Sequence, residues 1–283
     1  MPIDFSQVTY VYSPKTPLQF EALKGIDLHI EDGSFVALVG RTGCGKSTLV
    51  QHINALLTPS TGEVRVDGFV STSDKKKRTK KMSPLRKEVG LVFQFPEYQL
   101  FEENVLKDVS FGPKNFGRSK EEAIADAKEA LSLVGLGKEF YDRSPFELSG
   151  GEKRRVAIAG ILAIHPKYLV VDEPTAGLDP LGAKEMMDLF DEIHRQGTTI
   201  ILVTHDMSLV LKHCDRCIVM KDGKIAKICT PIELFEGDLE EYSLQIPPFF
   251  EFAKKLKEGG LDIDLSKCLD VDSLAKQIQE AKR

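Results

Sequence analysis

The 283-residue chain carries 38 Lys and Arg against 43 Asp and Glu, a formal net charge of -5 with a pI near 5.8, which argues against a protein whose main work is gripping nucleic acid. The length suits one large domain with an appendage and is enough to bury a sizeable core. The longest apolar run, residues 156–164, is far short of a membrane span, and the opening Met1-Pro-Ile-Asp-Phe5 has no basic-then-apolar leader pattern, so the chain is expected to stay in the cytoplasm.

In chain order, residues 5–12 and 26–30 alternate apolar with polar as half-buried strands do, and 64–70 continues the pattern after the turn 59–62, which predicts a small antiparallel sheet. Tyr12, just before the core, is placed to stack on a flat base, with an ordinary strand aromatic as the alternative. Residues 34–39 read as a buried strand and lead into Gly40-Arg41-Thr42-Gly43-Cys44-Gly45-Lys46-Ser47, which fits G-x-x-x-x-G-K-S/T, while residues 46–57 are helix-competent. Strand, glycine turn and helix in that order make a phosphate-binding loop: bare N–H groups close around phosphate oxygens at a helix start. Lys46 would reach the β- and γ-phosphates and Ser47 would hold Mg²⁺.

Residues 71–87 contain the basic run Lys75-Lys76-Lys77-Arg78 and Lys80-Lys81, expected to be a solvated loop. A membrane-surface or nucleic-acid contact is the sharper alternative, and the acidic whole does not support the second of these. Residues 89–93 read as a buried strand ending at Gln94, and Phe95, Pro96, Tyr98, Leu100 and Phe101 follow, apolar as a partner-binding groove requires, unless they pack beneath the next helices. Ser119 and Glu122 form a capping box for a helix running to about Val134, part of a helical insertion between core strands.

Leu148-Ser149-Gly150-Gly151-Glu152 then opens a strong helix pattern over 153–164, with Ser149 a natural N-cap and two glycines baring N–H groups, a second anion-binding helix end. Residues 168–171 form a strand ending in Asp172 and Glu173, where the first acid can position a Mg²⁺ shell and the second can orient or deprotonate water. Paired acids at a strand end also arise as caps. After Leu178-Asp179-Pro180 and a helix over 184–195 with Gly197 as its stop, the strand 199–203 ends just before His205, at the strand edge where such folds bind ligand.

Residues 217–220 and 224–228 flank the hairpin turn Asp222-Gly223, and Thr230, Pro231 and Glu233 form a second helix start with a capping box. Cys214 and Cys217 match C-x-x-C but close a helical stretch instead of opening one, so packed thiols are expected, and five scattered cysteines give no disulfide framework. Beyond Asp238, an amphipathic helix to Lys257, Gly259-Gly260 and a charged helix over 272–283 carry no catalytic pattern and read as an appendage that packs against a partner.

With these motifs in this order, residues 3–236 resemble the nucleotide-binding subunit of ABC transporters. The likeness sharpens at Phe93–Glu97, Phe111–Pro113 and Pro174–Pro180, which look like the ATPase of energy-coupling factor vitamin transporters, the second of its two paired types. The resemblance implies an α/β P-loop NTPase with a RecA-like core, an antiparallel β subdomain and a helical insertion at about 100–160, all within an ATP-binding domain 1–236. Residues 237–283 would be a C-terminal helical extension serving dimerisation. Carried over by position, Tyr12 stacks on adenine, and Gly40, Arg41, Thr42, Gly43, Cys44, Gly45, Lys46, Ser47 and Thr48 hold phosphates and Mg²⁺. Gln94 contacts the metal or water and relays to the membrane partner, Asp172 supports the metal, Glu173 is the catalytic carboxylate and His205 contacts the γ-phosphate. Ser149, Gly150 and Gly151 face ATP on the opposite subunit.

The implied protein is a Mg²⁺-dependent ATPase, peripheral on the cytoplasmic face of the cell membrane, that drives micronutrient uptake. Its partners would be a homologous ATPase in a head-to-tail dimer, a transmembrane coupling subunit and a substrate-binding membrane subunit, with no nucleic acid. A soluble ATPase of repair, iron-sulfur assembly or translation is the alternative, against which stand the absence of a long coiled-coil insertion and of a second cassette. A non-hydrolysing switch is disfavoured by the presence of Glu173 and His205. One departure is Glu152, where the family usually has glutamine.

Overall fold

A computed structural model describes residues 2–237 and 239–281. Strands β1 (Ile3–Tyr12) and β2 (Phe20–Ile30) pair antiparallel, from Ile3 opposite Ile30 to Tyr12 opposite Phe20. Next come β3 (Phe35–Val39) and helix α1 (Lys46–Ile53), then β4 (Thr61–Val66) and β5 (Phe69–Thr72), which complete a sheet of order β2-β1-β4-β5. The apolar pattern over 64–70 predicts one strand, but the chain makes a hairpin there. Asp67 and Gly68 both take positive φ (46° and 85°), the backbone of the two-residue turn that matches strand twist. Likewise α1 stops at Ile53 although the helical pattern runs to residue 57, because Ala55 turns into the left-handed region and Leu57 N closes on Gln51 O.

After α2 (Ser83–Glu88), β6 (Val89–Val92) leads to a 3-10 helix at Pro96–Gln99 and three helices that pack together, α3 (Val105–Asn115), α4 (Lys120–Leu133) and α5 (Gly150–Leu162). Their starts are set locally: the Asn104 side chain accepts from Lys107 N, and Ser119–Glu122 and Ser149–Glu152 are both reciprocal capping boxes. The remaining core is β7 (Tyr168–Asp172), α6 (Pro180–Arg195), β8 (Thr199–Val203), α7 (Met207–His213), β9 (Arg216–Lys221) and β10 (Lys224–Cys229). The larger sheet has the order β10-β9-β3-β8-β7-β6. Neighbours from β9 to β6 are parallel, and β10 is added antiparallel through Asp222-Gly223.

Every residue of β3 and β8 is buried, and the two-residue period of a strand shares them between two cores. Phe35, Ala37 and Val39 face one core with Ile200, Leu202, Leu169 and Val171, while Val36 and Leu38 face the other with Ile201, Val203, Tyr168 and Val170. The first core lies under α3 to α7. The second lies under α1 and the antiparallel sheet. Cys214 and Cys217 are buried, and burial pushes both thiols up, away from the reactive thiolate.

Helices α8 (Pro231–Glu236), α9 (Pro248–Glu258) and α10 (Val271–Ala281) end the chain; the last two residues of the expected terminal helix, 282 and 283, lie outside the described residues. The tail's apolar face has a partner within the chain. Phe250 is fully buried with its ring 5.3 Å from that of Phe235, and Leu244, Ala253, Ile263, Leu265 and Leu274 join the first core. Lys212 of α7 reaches Asp270 at 2.8 Å, and with the bond that Ser273 N donates to Oδ1 it holds the Asp270 carboxyl down at about 2, below its ordinary 3.8. A carboxyl lowered on folding adds stability in full above its unfolded value near 3.8, loses it as pH falls through that range, and adds none below about 2. Asp270→Asn should therefore lower the melting temperature at neutral pH, and the gap from the parent should narrow between about pH 5 and pH 3. Thermal melts across that range check it; a gap independent of pH would contradict the ion pair's part.

Candidate functional site

The loop between β3 and α1 is built by three glycines at positive φ, Gly40 (141°), Gly43 (82°) and Gly45 (106°). A Cβ at Gly40 would lie 2.3 Å from Met220 O, and one at Gly45 would lie 2.7 Å from Ala22 O, so neighbouring backbone forbids any other residue at both. Lys46 Nζ lies back over the loop, donating to Gly40 O at 2.6 Å and Arg41 O at 3.1 Å. Within the loop the roles divide. Thr42, Gly43, Gly45, Lys46, Ser47 and Thr48 line a cavity of about 470 Å³, whereas Cys44 is buried beneath and Arg41 is exposed outside it.

The opposite wall comes from the ends of neighbouring strands: Gln94 beyond β6, Asp172 and Glu173 from β7, and Val203 and His205 from β8. Burial and the adjacent Glu173 raise the Asp172 pKa, while Lys46 and a hydrogen bond from the Ser47 side chain pull against them. Glu173 has φ 48°, and its N–H donates to Val203 O at 2.8 Å. Its carboxylate accepts from His205 Nδ1 at 2.7 Å and from the buried Thr204 hydroxyl at 3.3 Å. A carboxylate only accepts, so the proton of that His205 bond sits on Nδ1. Glu173 is thereby aimed into the cavity by two groups from the end of the next strand.

Tyr12 does not line this cavity. It stands beside it, its hydroxyl 3.2 Å from Thr48 Oγ1 and its ring edge-on to Tyr10 at 4.8 Å. The aromatic that does line the cavity is Phe20, 57% exposed and directly opposite Tyr12 in the β1–β2 ladder, with Ala22 two residues on along the same strand face. Phe20 carries no local signal in the sequence, since its start of β2 shows no alternation and only pairing with β1 brings it to Tyr12.

Ser149, Gly150 and Gly151 do not line the cavity either. They form the exposed start of α5, and a Cβ at either glycine would meet nothing within 4 Å. Glu152 is turned onto its own cap: Oε2 accepts from Ser149 Oγ at 2.7 Å and Ser149 N at 2.8 Å, and those bonds lower its pKa. Beyond Gln94, Pro96 and Leu100 are buried, so they belong to the packing beneath the helices. Only Phe95, Tyr98 and Phe101 of that stretch present exposed apolar groups, Tyr98 at 85%.

Residues 23–176 match the family model described as ABC transporter, more than half of the chain. The chain belongs to the ABC transporter family. Curated relatives place it among that family's energy-coupling factor ATP-binding subunits. The "Energy-coupling factor transporter ATP-binding protein EcfA2" of Spiroplasma kunkelii is 49% identical, over 99% of this chain and 92% of its own length. The protein of that name in Enterococcus faecalis is 50% identical, over 99% of both chains. Among solved structures, cbiO1 of Clostridium perfringens, "part of the ABC transporter complex cbiONQ", is 38% identical with a TM-score of 0.72, over 89% of this chain and 98% of that one. The ATP-binding cassette MJ0796, dimeric and bound to ADP and Pi in a post-hydrolysis state, is 31% identical with a TM-score of 0.70, over 81% and 98%. The fold is thus that of an ABC ATPase cassette, and this chain is an ATP-binding, ATP-hydrolysing subunit of an energy-coupling factor transporter.

The polar residues of the cavity's lining come from the loop and the strand ends, and β2 adds the apolar Phe20 and Ala22. Phe20→Ala should weaken ATP binding roughly fivefold or more, the usual worth of a base–aromatic contact, and leave tripolyphosphate binding unchanged. Calorimetric titration of both ligands checks this; equal weakening of the two would place Phe20 at the phosphate end.

Proposed function

We propose that this chain hydrolyses MgATP at the β3–α1 cavity and passes the resulting movement to membrane subunits through the surface beyond Gln94. The observation that carries the reading is Glu173, anchored by Val203 O, Thr204 and His205 and aimed into the cavity that Lys46 and Ser47 share. Its carboxylate takes a proton from the water that attacks the γ-phosphorus, as the bond from that phosphorus to the ADP oxygen breaks. His205 and Thr204 keep the carboxylate turned toward that water. Lys46 and the loop N–H groups of residues 42–48 hold the β- and γ-phosphates against the N-terminus of α1.

The donor set suits Mg²⁺. Ser47, Asp172 and Gln94 offer a hydroxyl, one carboxylate and an amide carbonyl, all hard oxygens, and no cluster of three His, Cys, Asp or Glu with metal-holding geometry occurs among the described residues. Mg²⁺ takes few protein ligands and completes its shell with phosphates and water. When bound, it neutralises charge developing on the β- and γ-oxygens.

Ser149, Gly150 and Gly151 complete the site of a second, homologous ATPase in a head-to-tail dimer, a reading supported by their exposure away from this chain's own cavity and by the dimeric state of MJ0796. The membrane partners are a transmembrane coupling subunit and a substrate-binding subunit, with this chain peripheral on the cytoplasmic face and a vitamin or similar micronutrient as cargo. No helix among the described residues is long and apolar enough to cross a membrane, and cbiO1 is part of a larger transporter complex.

Glu173→Gln, in an assembly whose partner ATPase carries the same change, should slow hydrolysis roughly 10²- to 10⁴-fold while ATP still binds. Phosphate release and nucleotide titration read the two arms, and near-normal turnover would end this assignment. Tyr98→Ser, at the most exposed aromatic beyond Gln94, should leave folding and ATP binding intact and reduce recovery of the ATPase with its membrane subunits. Co-purification checks it, with undiminished recovery counting against docking at this surface.

A further inference from the structure

Arg154, on the first turns of α5, is a charged side chain with 4% of its surface exposed. Its guanidinium reaches two loops at once. Nη1 donates to Ala176 O at 2.7 Å and Pro174 O at 3.3 Å, in the turn that follows Glu173. On the other side Nη2 donates to Gln94 O at 3.4 Å and to Glu97 Oε1 at 3.4 Å, and Nε donates to Glu97 Oε2 at 3.4 Å. Glu97 belongs to the 3-10 helix Pro96–Gln99, whose neighbouring Tyr98 is the most exposed aromatic of the stretch beyond Gln94. No backbone N–H among the described residues takes the carbonyls of Gln94, Pro174 or Ala176.

We propose that Arg154 is a positioning residue that locks the turn holding Glu173 to the loop of Gln94 and to the 3-10 helix, so that the three move as one unit. The inference rests on the hydrolytic reading of Glu173 and Gln94 given above. Glu173 sits at φ 48°, a backbone state that a residue with a side chain keeps only when its surroundings over-determine it. Val203 O fixes the front of that turn, and the Arg154 fork fixes the carbonyls one and three residues behind. The planar guanidinium, with donors in a rigid fork, is the side chain that can serve both loops; a lysine ammonium is a single point that can serve one at a time. The same fork ties the carboxylate of Glu97, so displacement of the 3-10 helix by a partner is carried to the Glu173 turn and to Gln94 together. Burying this charge is costly unless it is paired and bonded, and Glu97 with three carbonyls meets that need.

The test uses the assembled transporter, with ATP binding at the P-loop, KM and kcat for ATP measured on each variant. Arg154→Met should lower kcat at least tenfold with KM and ATP binding within about threefold of the parent, and Arg154→Lys should not restore kcat. Glu97→Gln should lower kcat by itself, and Arg154→Met/Glu97→Gln should be no slower than Arg154→Met, because both act through one connection. The double variant removes both charges and leaves no carboxylate without its cation, so it is the one to read where the single variant fails to fold. A parent-like kcat in the double variant, effects of the two changes that multiply, full recovery with lysine, or ATP binding lost in step with kcat would each overturn the proposal. Lys46→Ala and Glu173→Gln in the same assembly separate its failure from that of the underlying reading. If they lose ATP binding and turnover respectively while the Arg154 variants stay active, only the clamp is wrong; if they stay active, the hydrolytic reading is wrong as well.

Discussion

The hydrogen bond from Glu173 N to Val203 O, at 2.8 Å, is the point on which the site's geometry turns. It continues the parallel ladder of β7 and β8 one residue past the last pair, Asp172 opposite Val203, and then the chain breaks away at a positive φ. On the other side of β8, Val203 is opposite Leu38 of β3, two residues before Gly40. Strand register alone therefore sets the glycine loop, the two acids and His205 along one edge of the sheet. In an open parallel sheet that edge is where crossover loops leave space for ligand. The buried strands, with side chains interleaved into cores on both faces, keep the register from slipping, since a one-residue shift would exchange every side chain between the two cores.

Features with a strict local backbone demand were legible in the sequence. The glycine loop, the capping boxes at Ser119 and Thr230, and the hairpin at Asp222-Gly223 each require particular residues at fixed spacing, and each formed where the pattern predicts. Features decided by competition between local patterns were less legible. The 64–70 stretch has strand character throughout, and only the pair Asp67-Gly68 inside it, a known hairpin signal, records the turn. Leu100 and Tyr98 read alike as apolar residues of one loop, yet one is buried and the other almost fully exposed: Tyr98 lies on the 3-10 helix and Leu100 just past its end, where the backbone turns extended. Phe20 and Arg154 were invisible for a third reason: their roles exist only through residues far away in the chain.

The tail shows the limit of periodicity as a guide. An apolar stripe along 248–257 says that a face must be covered, and not by what. Here Phe250 meets Phe235, and Lys212 meets Asp270, so α7 and α8 of the same chain supply the cover for α9 and anchor the start of α10. On α10 only Leu274 is buried, and Val271 is 63% exposed. The extension is thus fastened at its base, and its last helix is held through Leu274, Gln277 and Ile278 with its other face exposed.

Glu152 illustrates how a charge can be present without standing in front of an anion site. Its carboxylate accepts both the N–H and the hydroxyl of Ser149, and the lowered pKa follows from those two bonds. A glutamine could accept the same pair through its amide oxygen, so the capping geometry of α5 does not distinguish the two side chains. What the glutamate adds is ionic strength in the bonds and a formal charge held beside the positive end of the helix, where carboxylates are stabilising. The N–H groups of Gly150 and Gly151 are not taken up by that cap and open outward. The Ser149 hydroxyl is different, because its single proton is already donated to Glu152 at 2.7 Å. An anion approaching this helix end would compete with a carboxylate instead of an amide for the hydroxyl's hydrogen bond. The glutamate therefore bears on the Ser149 hydroxyl and leaves the N–H groups of Gly150 and Gly151 as they are.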